Sequence, residues 1–259
     1  MYKLSLLGRD IGYTRSPAVH NAIAKTLGIE LSFDVTDVTL DKLEAAVTEL
    51  LDSKDGFFIT KPYKNDVKRY LGTINTRCGV NFVLCRDKIG YNTDGIGFMC
   101  SLDGKFPYWR DEVNGALVLG AGGAAYAVTE ALINAGKKVY VLNRTVMNAA
   151  KLCSALGAEI YLNQPAELIV NCTSLGLHGE DALYSMCVMP EFKYGFDLVY
   201  SGGETPFLRR LRESGCKTED GMNMLVYQAI AGDKILLGDD TLDIESVFKE
   251  VSKILNDNN

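Results

Sequence analysis

Short apolar runs alternate with stretches of helical period along almost the whole chain. Lys3 to Leu7 is followed by Pro17 to Leu27, Leu31 to Val35 by Asp41 to Leu51, and Gly56 to Ile59 by Pro62 to Leu71. Parallel strands need long connections, usually helices, so this alternation predicts an α/β layer structure with a mainly parallel sheet. The rhythm breaks near Ser101 to Gly115, where Gly104, Pro107 and the single tryptophan, Trp109, interrupt it, and this stretch reads as an interdomain link. It restarts with strand Ala116 to Leu119, helix Ala124 to Ala135, strand Lys138 to Leu142, helix Met147 to Leu156, and strands Leu168 to Asn171 and Tyr194 to Val199. Two helix-like segments close the chain, Met222 to Leu237 and Ile244 to Leu255. A length of 259 residues fits two modest domains.

Composition narrows the partners. Apolar residues make up 47% and charged residues 23%, an ordinary globular balance that excludes disorder, collagen and coiled coil. The net charge of −6 gives no basic excess for nucleic acid or anionic lipid, so any anion must be held by local geometry. Seven scattered cysteines without a C-x-x-C pair favour neither disulfides nor zinc, and no metal site is expected. No run approaches the ~20 apolar residues of a membrane span, and the apolar N-terminal run is too short for a signal peptide. A cytoplasmic protein with reduced thiols is expected.

Strand Ala116 to Leu119 leads directly into Gly120-Ala121-Gly122-Gly123-Ala124-Ala125 and then a helix. In this pattern the first glycine makes the tight turn, the second lets backbone N–H groups approach a pyrophosphate, and Ala125 allows close helix–strand packing. The next strand ends at Asn143-Arg144-Thr145, 23 positions beyond Gly120, where an NAD site would place Asp or Glu on the ribose 2′-OH. No acid occurs from Lys138 to Thr145, whereas Arg144 suits a 2′-phosphate. NADP is therefore favoured, with NAD as the alternative.

Three helix starts in the first half carry candidate chemistry. Ser16-Pro17 has the form of an N-cap before a proline, and the hydroxyls of Thr14 and Ser16 at a helix N-terminus suit a carboxylate. His20, just beyond, reads as structural. Thr60-Lys61-Pro62-Tyr63-Lys64 reads as a strand-to-helix turn with Lys64 in the first helical turn, where the dipole would lower its pKa and suit acid–base work. In Tyr91-Asn92-Thr93-Asp94-Gly95, Asn92 or Thr93 caps a helix and Asp94 falls where the dipole favours its ionised form. An Asp94–Lys64 pair at one sheet edge would orient the ammonium for proton transfer.

Together these segments resemble the shikimate dehydrogenase family, its quinate/shikimate branch included, in order and over almost the whole chain. Thr14-Arg15-Ser16-Pro17-Ala18-Val19-His20-Asn21 resembles the family's Ser-x-Ser-Pro-x-x-His-Asn, whose hydroxyls hold the substrate carboxylate. Thr60-x-Pro62-x-Lys64 resembles the catalytic-lysine segment, Gly79-Val80-Asn81 the segment with a substrate asparagine, and Asn92-Thr93-Asp94-Gly95 the catalytic-aspartate segment. Gly120 to Ala124, Asn143-Arg144-Thr145 and Asn171-Cys172-Thr173-Ser174 are similar to its nucleotide signatures. Phe196-Asp197-Leu198-Val199-Tyr200 with Thr205-Pro206, and Asp220-Gly221-Met222 with Gln228, match its last two segments.

The resemblance implies reversible hydride transfer between NADPH and C3 of 3-dehydroshikimate, a step of chorismate and aromatic amino acid biosynthesis. By the same implication Lys64 and Asp94 are catalytic, and Thr14, Ser16, Thr60, Asn81, Tyr200 and Gln228 bind a polyhydroxy carboxylate. Gly120, Ala121, Gly122, Gly123, Ala124, Asn143, Arg144, Thr145, Thr173, Leu198 and Gly221 would hold NADP. It also implies a substrate-binding catalytic domain of 1–103 plus 222–259 and a Rossmann-type NADP domain of 104–221, separated by a cleft, in a monomer or homodimer.

The chain departs from the family pattern at four positions. Phe58 replaces the asparagine of Asn-Val-Thr and shares a strand face with Thr60, so it is expected to point toward the substrate. Phe82 replaces a threonine after Asn81, Thr14 replaces the commoner serine, and Asn148 stands where NADP-using members often have a second basic residue. The alternatives are a quinate/shikimate dehydrogenase or relative with a shifted substrate, and a non-catalytic dinucleotide-binding sensor. Retention of both Lys64 and Asp94 speaks against the sensor.

Overall fold

The computed structural model describes residues 1–183, 191–200 and 203–257. They form two compact units, one of Met1–Gly97 with Leu225–Asn259 and one of Phe98–Met224.

The first unit holds β1 (Tyr2–Gly8), α1 (Ser16–Leu27), β2 (Leu31–Asp37), α2 (Leu43–Ser53), β3 (Gly56–Ile59), β4 (Thr73–Ile74), β5 (Phe82–Leu84) and β6 (Ile89–Tyr91). The strands lie in the order β2-β1-β3-β5-β6-β4. β5 runs against β3 and β6, and the other pairings are parallel. Side chains alternate between two packed faces. Leu7, Phe57, Ile59 and Val83 meet Val47 and Leu50 of α2, while Leu4, Leu6, Phe58, Phe82 and Leu84 lie on the opposite face. As the periodicity predicts, α1 stops at Gly28 in the left-handed conformation (φ 65°). It starts differently, because Ser16 is already helical and Arg15 stands at the N-cap position.

The chain enters the second unit within α3 (Asp94–Lys105), continued by α4 (Trp109–Glu112). The expected link is therefore helical. Phe98, Leu102, Phe106 and Trp109 recur at helical spacing and are buried in the second core, and their burial outweighs Gly104 and Pro107. There follow β7 (Gly115–Leu119), α5 (Gly123–Asn134), β8 (Lys138–Leu142), α6 (Val146–Leu156), β9 (Glu159–Ile160), β10 (Leu168–Asn171), β11 (Tyr194–Asp197), α7 (Pro206–Glu213) and β12 (Lys217–Glu219). The sheet is parallel throughout, in the order β12-β11-β10-β7-β8-β9. This is the strand order of dinucleotide-binding folds, with its switch point between β7 and β10. Both faces are covered, which is why β7 and β10 are apolar without alternation. The chain returns to the first unit within α8 (Met222–Leu237) and ends in α9 (Ile244–Asp257), which packs on α1.

The described cysteines, Cys78, Cys85, Cys100, Cys153, Cys172 and Cys216, are free thiols, and Cys187 lies outside the described residues. Among the described residues no cluster suits a metal, and no helix is long and apolar enough to cross a membrane.

Candidate active site

The reversed direction of β5 assembles the first site. Because β5 runs against its neighbours, its start lies beside the ends of β3 and β6. The Asn81 carbonyl accepts from Ile59 N–H at 2.8 Å, and Asn81 N–H donates to the Tyr91 carbonyl at 2.9 Å. Thr60, Asn81 and the Asn92-Thr93-Asp94 turn thus share one sheet edge.

Lys64 reaches this edge by a route the sequence does not announce. Residues 61–65 form a turn followed by a short 3-10 helix, Asp66–Tyr70, in place of the expected α-helix. Tertiary contacts override helical propensity here. The Tyr63 hydroxyl donates to the Val38 carbonyl at 2.7 Å, and Val80 N–H donates to the Lys64 carbonyl at 2.7 Å. A Cβ on Gly79 would stand 2.8 Å from Lys64 Cβ, so glycine is needed for this approach. Without an α-helix the dipole invoked for Lys64 is missing, and its ammonium faces a carboxylate instead. Lys64 Nζ donates to Asp94 Oδ2 at 2.5 Å, and Asp94 is only 5% exposed.

Around this pair lies a buried polar network. Asn81 Oδ1 accepts from Thr93 N–H at 2.7 Å, which fixes the orientation of the amide. Its Nδ2 has three acceptors in reach: Thr93 Oγ1 and Asp94 Oδ1 at 2.9 Å and Gln228 Oε1 at 3.0 Å. An amide has only two hydrogens, so the network can re-pair locally when a ligand hydroxyl enters. Asn92 Oδ1 accepts from Asp94 N–H at 3.0 Å and holds the start of α3. Thr93, foreseen only as a cap, is fully buried and donates to the Gln228 carbonyl at 2.9 Å, tying α3 to α8. Its spacing gives no hint of that role. At the start of α1, Thr14 Oγ1 donates to Ser16 Oγ at 3.1 Å and accepts from Ser16 N–H at 3.2 Å.

Phe58 does not stand open beside Thr60. It is 3% exposed, with its ring between His20 and Phe82 at centroid distances of 4.5 and 4.8 Å. His20 is buried, as a structural histidine should be, and its Nδ1 lies 2.9 Å from Asp233 Oδ2.

The second unit gathers its candidates at the C-terminal ends of β7, β8, β10 and β11. Gly120 follows β7 with φ +106°, a conformation that side chains disfavour, and a Cβ there would lie 3.1 Å from Thr173 Cγ2. Gly122, immediately before α5, borders open space, as backbone that must lie against a ligand should. Ala121, Gly123 and Ala124 complete this turn. After β8, Asn143 Nδ2 donates to the Thr145 carbonyl at 2.9 Å, while Arg144 and Asn148 are exposed. Thr173 is held by Asn171 Oδ1, which accepts from its N–H at 3.0 Å and its hydroxyl at 2.7 Å. Gly221 lies directly against the Leu198 carbonyl. These residues fit a phosphorylated dinucleotide: glycine backbone for the pyrophosphate and a free-standing guanidinium for a further phosphate.

Asp197 organises the segment that leads to Tyr200. Its Oδ1 accepts from Asn171 Nδ2 at 2.8 Å and Val199 N–H at 3.0 Å, and its Oδ2 from the Thr205 hydroxyl at 2.6 Å. Burial nevertheless pushes its carboxyl up to about 6.

Comparison with known proteins gives the family and the fold. A family model described as shikimate dehydrogenase substrate binding domain matches residues 6–79, and one described as shikimate / quinate 5-dehydrogenase matches residues 107–173. A shikimate dehydrogenase (NADP(+)) of Brucella abortus is 35% identical over 257 residues, covering 89% of this chain and 86% of its own length. One from Sulfolobus acidocaldarius is 33% identical over 258 residues, covering 93% and 92%. The crystal structure of shikimate 5-dehydrogenase from Thermus thermophilus in complex with NADP(H) and shikimate superimposes with a TM-score of 0.84 at 31% identity, over 98% of this chain and all of that one.

Proposed function

Since the chain belongs to the shikimate dehydrogenase family, we infer that it is an NADP-dependent oxidoreductase interconverting 3-dehydroshikimate and shikimate at C3. The observation that carries the mechanism is the Lys64–Asp94 hydrogen bond at a polar sheet edge. NADP(H), when bound, supplies or accepts the hydride. In the reducing direction the Lys64 ammonium donates a proton to the oxygen at C3 as negative charge develops there, and in the oxidising direction its amine takes the hydroxyl proton back. Asp94 orients Lys64 and balances its charge. Asn81 and Gln228 offer neutral hydrogen bonds to ring hydroxyls, with Thr60 at the same sheet edge, and Tyr200 is a further substrate-binding residue in this reading. Thr14 and Ser16 hold the carboxylate with hydroxyls and the α1 N-terminus, which needs no net positive charge.

On the cofactor side, the backbone of Gly120 to Ala124 cradles the pyrophosphate and Arg144 takes the 2′-phosphate, flanked by Asn143 and Thr145. Thr173, Leu198 and Gly221 line the same edge. The proposed setting is the cytoplasm, in chorismate and aromatic amino acid biosynthesis, and free thiols suit a reducing compartment. A spectrophotometric assay of NADP+ and NAD+ reduction with shikimate and with quinate tests this reading, with Lys64→Ala as control. Turnover of shikimate with NADP+ is expected, and no turnover with either acid overturns the proposal.

A further inference from the structure

Three of the proposed substrate-binding residues each stand one step from a single packed cluster. His20 follows Ser16 by one helical turn on α1, Gly232 follows Gln228 by one turn on α8, and Phe58 precedes Thr60 by two residues on the same strand face. These lower residues touch one another. The rings of His20 and Phe58 lie 4.5 Å apart, and a Cβ on Gly232 would meet Phe58 Cε1 and Cζ at 2.5 Å. Phe58 cannot retreat, because Phe82 packs 4.8 Å away on one side and His20 on the other. His20 is fixed in turn by stacking on Phe33, with centroids 4.4 Å apart and planes 13° from parallel, and by Asp233. The His20 and Asp233 side chains are each 1% exposed, and among the described residues Asp233 Oδ1 has no hydrogen-bond partner and His20 is the one side chain that holds this carboxylate.

We propose that His20, Phe58, Gly232 and Asp233 are positioning residues, an interlocked floor that sets the spacing of Ser16, Thr60 and Gln228 and thereby the affinity for the carboxylate substrate. The inference rests on the site reading under Proposed function. A close-packed interior passes a volume change on to its neighbours, and a methyl at position 232 has no path except through Phe58 into β3 or α1. Lys64 and Asp94 are held by Gly79, Val80 and Asn92, none of which belongs to the floor, and reach Gln228 only through the Asn81 amide, which can re-pair between its acceptors. Disturbing the floor therefore changes substrate binding more than chemistry.

The test is steady-state kinetics of Gly232→Ala alone and paired with Phe58→Val, with thermal stability measured alongside. Gly232→Ala is expected to raise KM for shikimate about tenfold, with kcat within about threefold and KM for NADP+ within about twofold of wild type. Adding Phe58→Val makes room for the methyl and is expected to return KM for shikimate to within about threefold of wild type. A Gly232→Ala enzyme that melts at lower temperature but keeps its KM overturns the proposal, as does a double variant that restores nothing. If Gly232→Ala does not fold, the near-isosteric Asp233→Asn decides: a KM rise of about fivefold is expected, and an unchanged KM overturns the inference. Wild-type protein without shikimate turnover overturns the proposed function and this inference with it, whereas an active wild type with unmoved variants overturns this inference alone.

Discussion

Lys64 Nζ and Asp94 Oδ2 lie 2.5 Å apart across thirty residues of sequence, joined because a reversed strand carries Asn81 between the segments that hold them. Lys64→Ala is expected to lower kcat by about 10² to 10⁴, the usual range for a lost acid–base group. Asp94→Asn should cost less, and the double variant should be no worse than Lys64→Ala alone, because the two act as one unit. Kinetics of all three variants check this. A Lys64→Ala enzyme with near wild-type kcat would remove the acid–base assignment.

Thr93→Val tests the network around that pair. The substitution keeps the shape and removes the hydroxyl that donates to the Gln228 carbonyl and accepts from Asn81. The Gln228 carbonyl lies inside α8 and keeps its helical donor, so loss of this added hydrogen bond costs about 0.5–1.5 kcal/mol and the urea midpoint should fall by a corresponding amount. KM for shikimate should rise as Gln228 loosens. A variant with unaltered midpoint and KM would show that Thr93 is only a helix cap.

Arg144→Ala tests cofactor choice. A charge-assisted contact to a phosphate contributes about 1.5–3 kcal/mol, so KM for NADP+ should rise by about ten- to a hundredfold. KM for NAD+, which lacks that phosphate, should change little. Equal losses with both cofactors would assign the 2′-phosphate to another group.

Asp197 gives stability a pH signature. Its carboxyl is raised from 3.8 to about 6 by burial, so between those values the folded protein holds a proton that the unfolded chain has released. Its contribution to stability is fully present below about pH 4 and is lost as pH rises through about 6, a swing of order 3 kcal/mol. Asp197→Asn has no such proton, so wild type should lose ground to the variant as pH rises from 4 to 7. Denaturant titrations at both ends measure this, and a wild type–variant difference that is constant with pH would contradict the assigned shift.

The fold was legible where burial on both faces produces long apolar runs, as in β7 and β10 with their crossover helices. It was illegible at β4, β5 and β6, whose two or three residues are too short to show a period. The stretch from Ser101 to Gly115 reads as a link because glycine and proline mask a helical row of Phe98, Leu102, Phe106 and Trp109. In the site, Lys64 and Asp94 stand out by residue type and local spacing, whereas Asn81 is marked only by the family resemblance. Thr93, Gly232 and Asp233 do not stand out, since their importance comes from contacts with residues more than a hundred positions away. Alternation puts Phe58 on the face it occupies but says nothing of its cover, because nothing near it in sequence announces the glycine on α8 that makes room for it.

The return of the chain to its first unit through α8 also sets an order of assembly. Synthesis delivers residues 98–224 as a contiguous stretch, able to pack as it emerges. The sheet edge bearing Lys64 is made far earlier, yet it must wait for Gln228, 147 positions beyond Asn81, and for Asp233, 213 beyond His20. Loop closure over such distances is slow relative to local pairing. A ribosome-bound chain lacking its last helices therefore carries Lys64 and Asp94 without Gln228, and the buried hydrogen-bond network around them is completed only by the final segment.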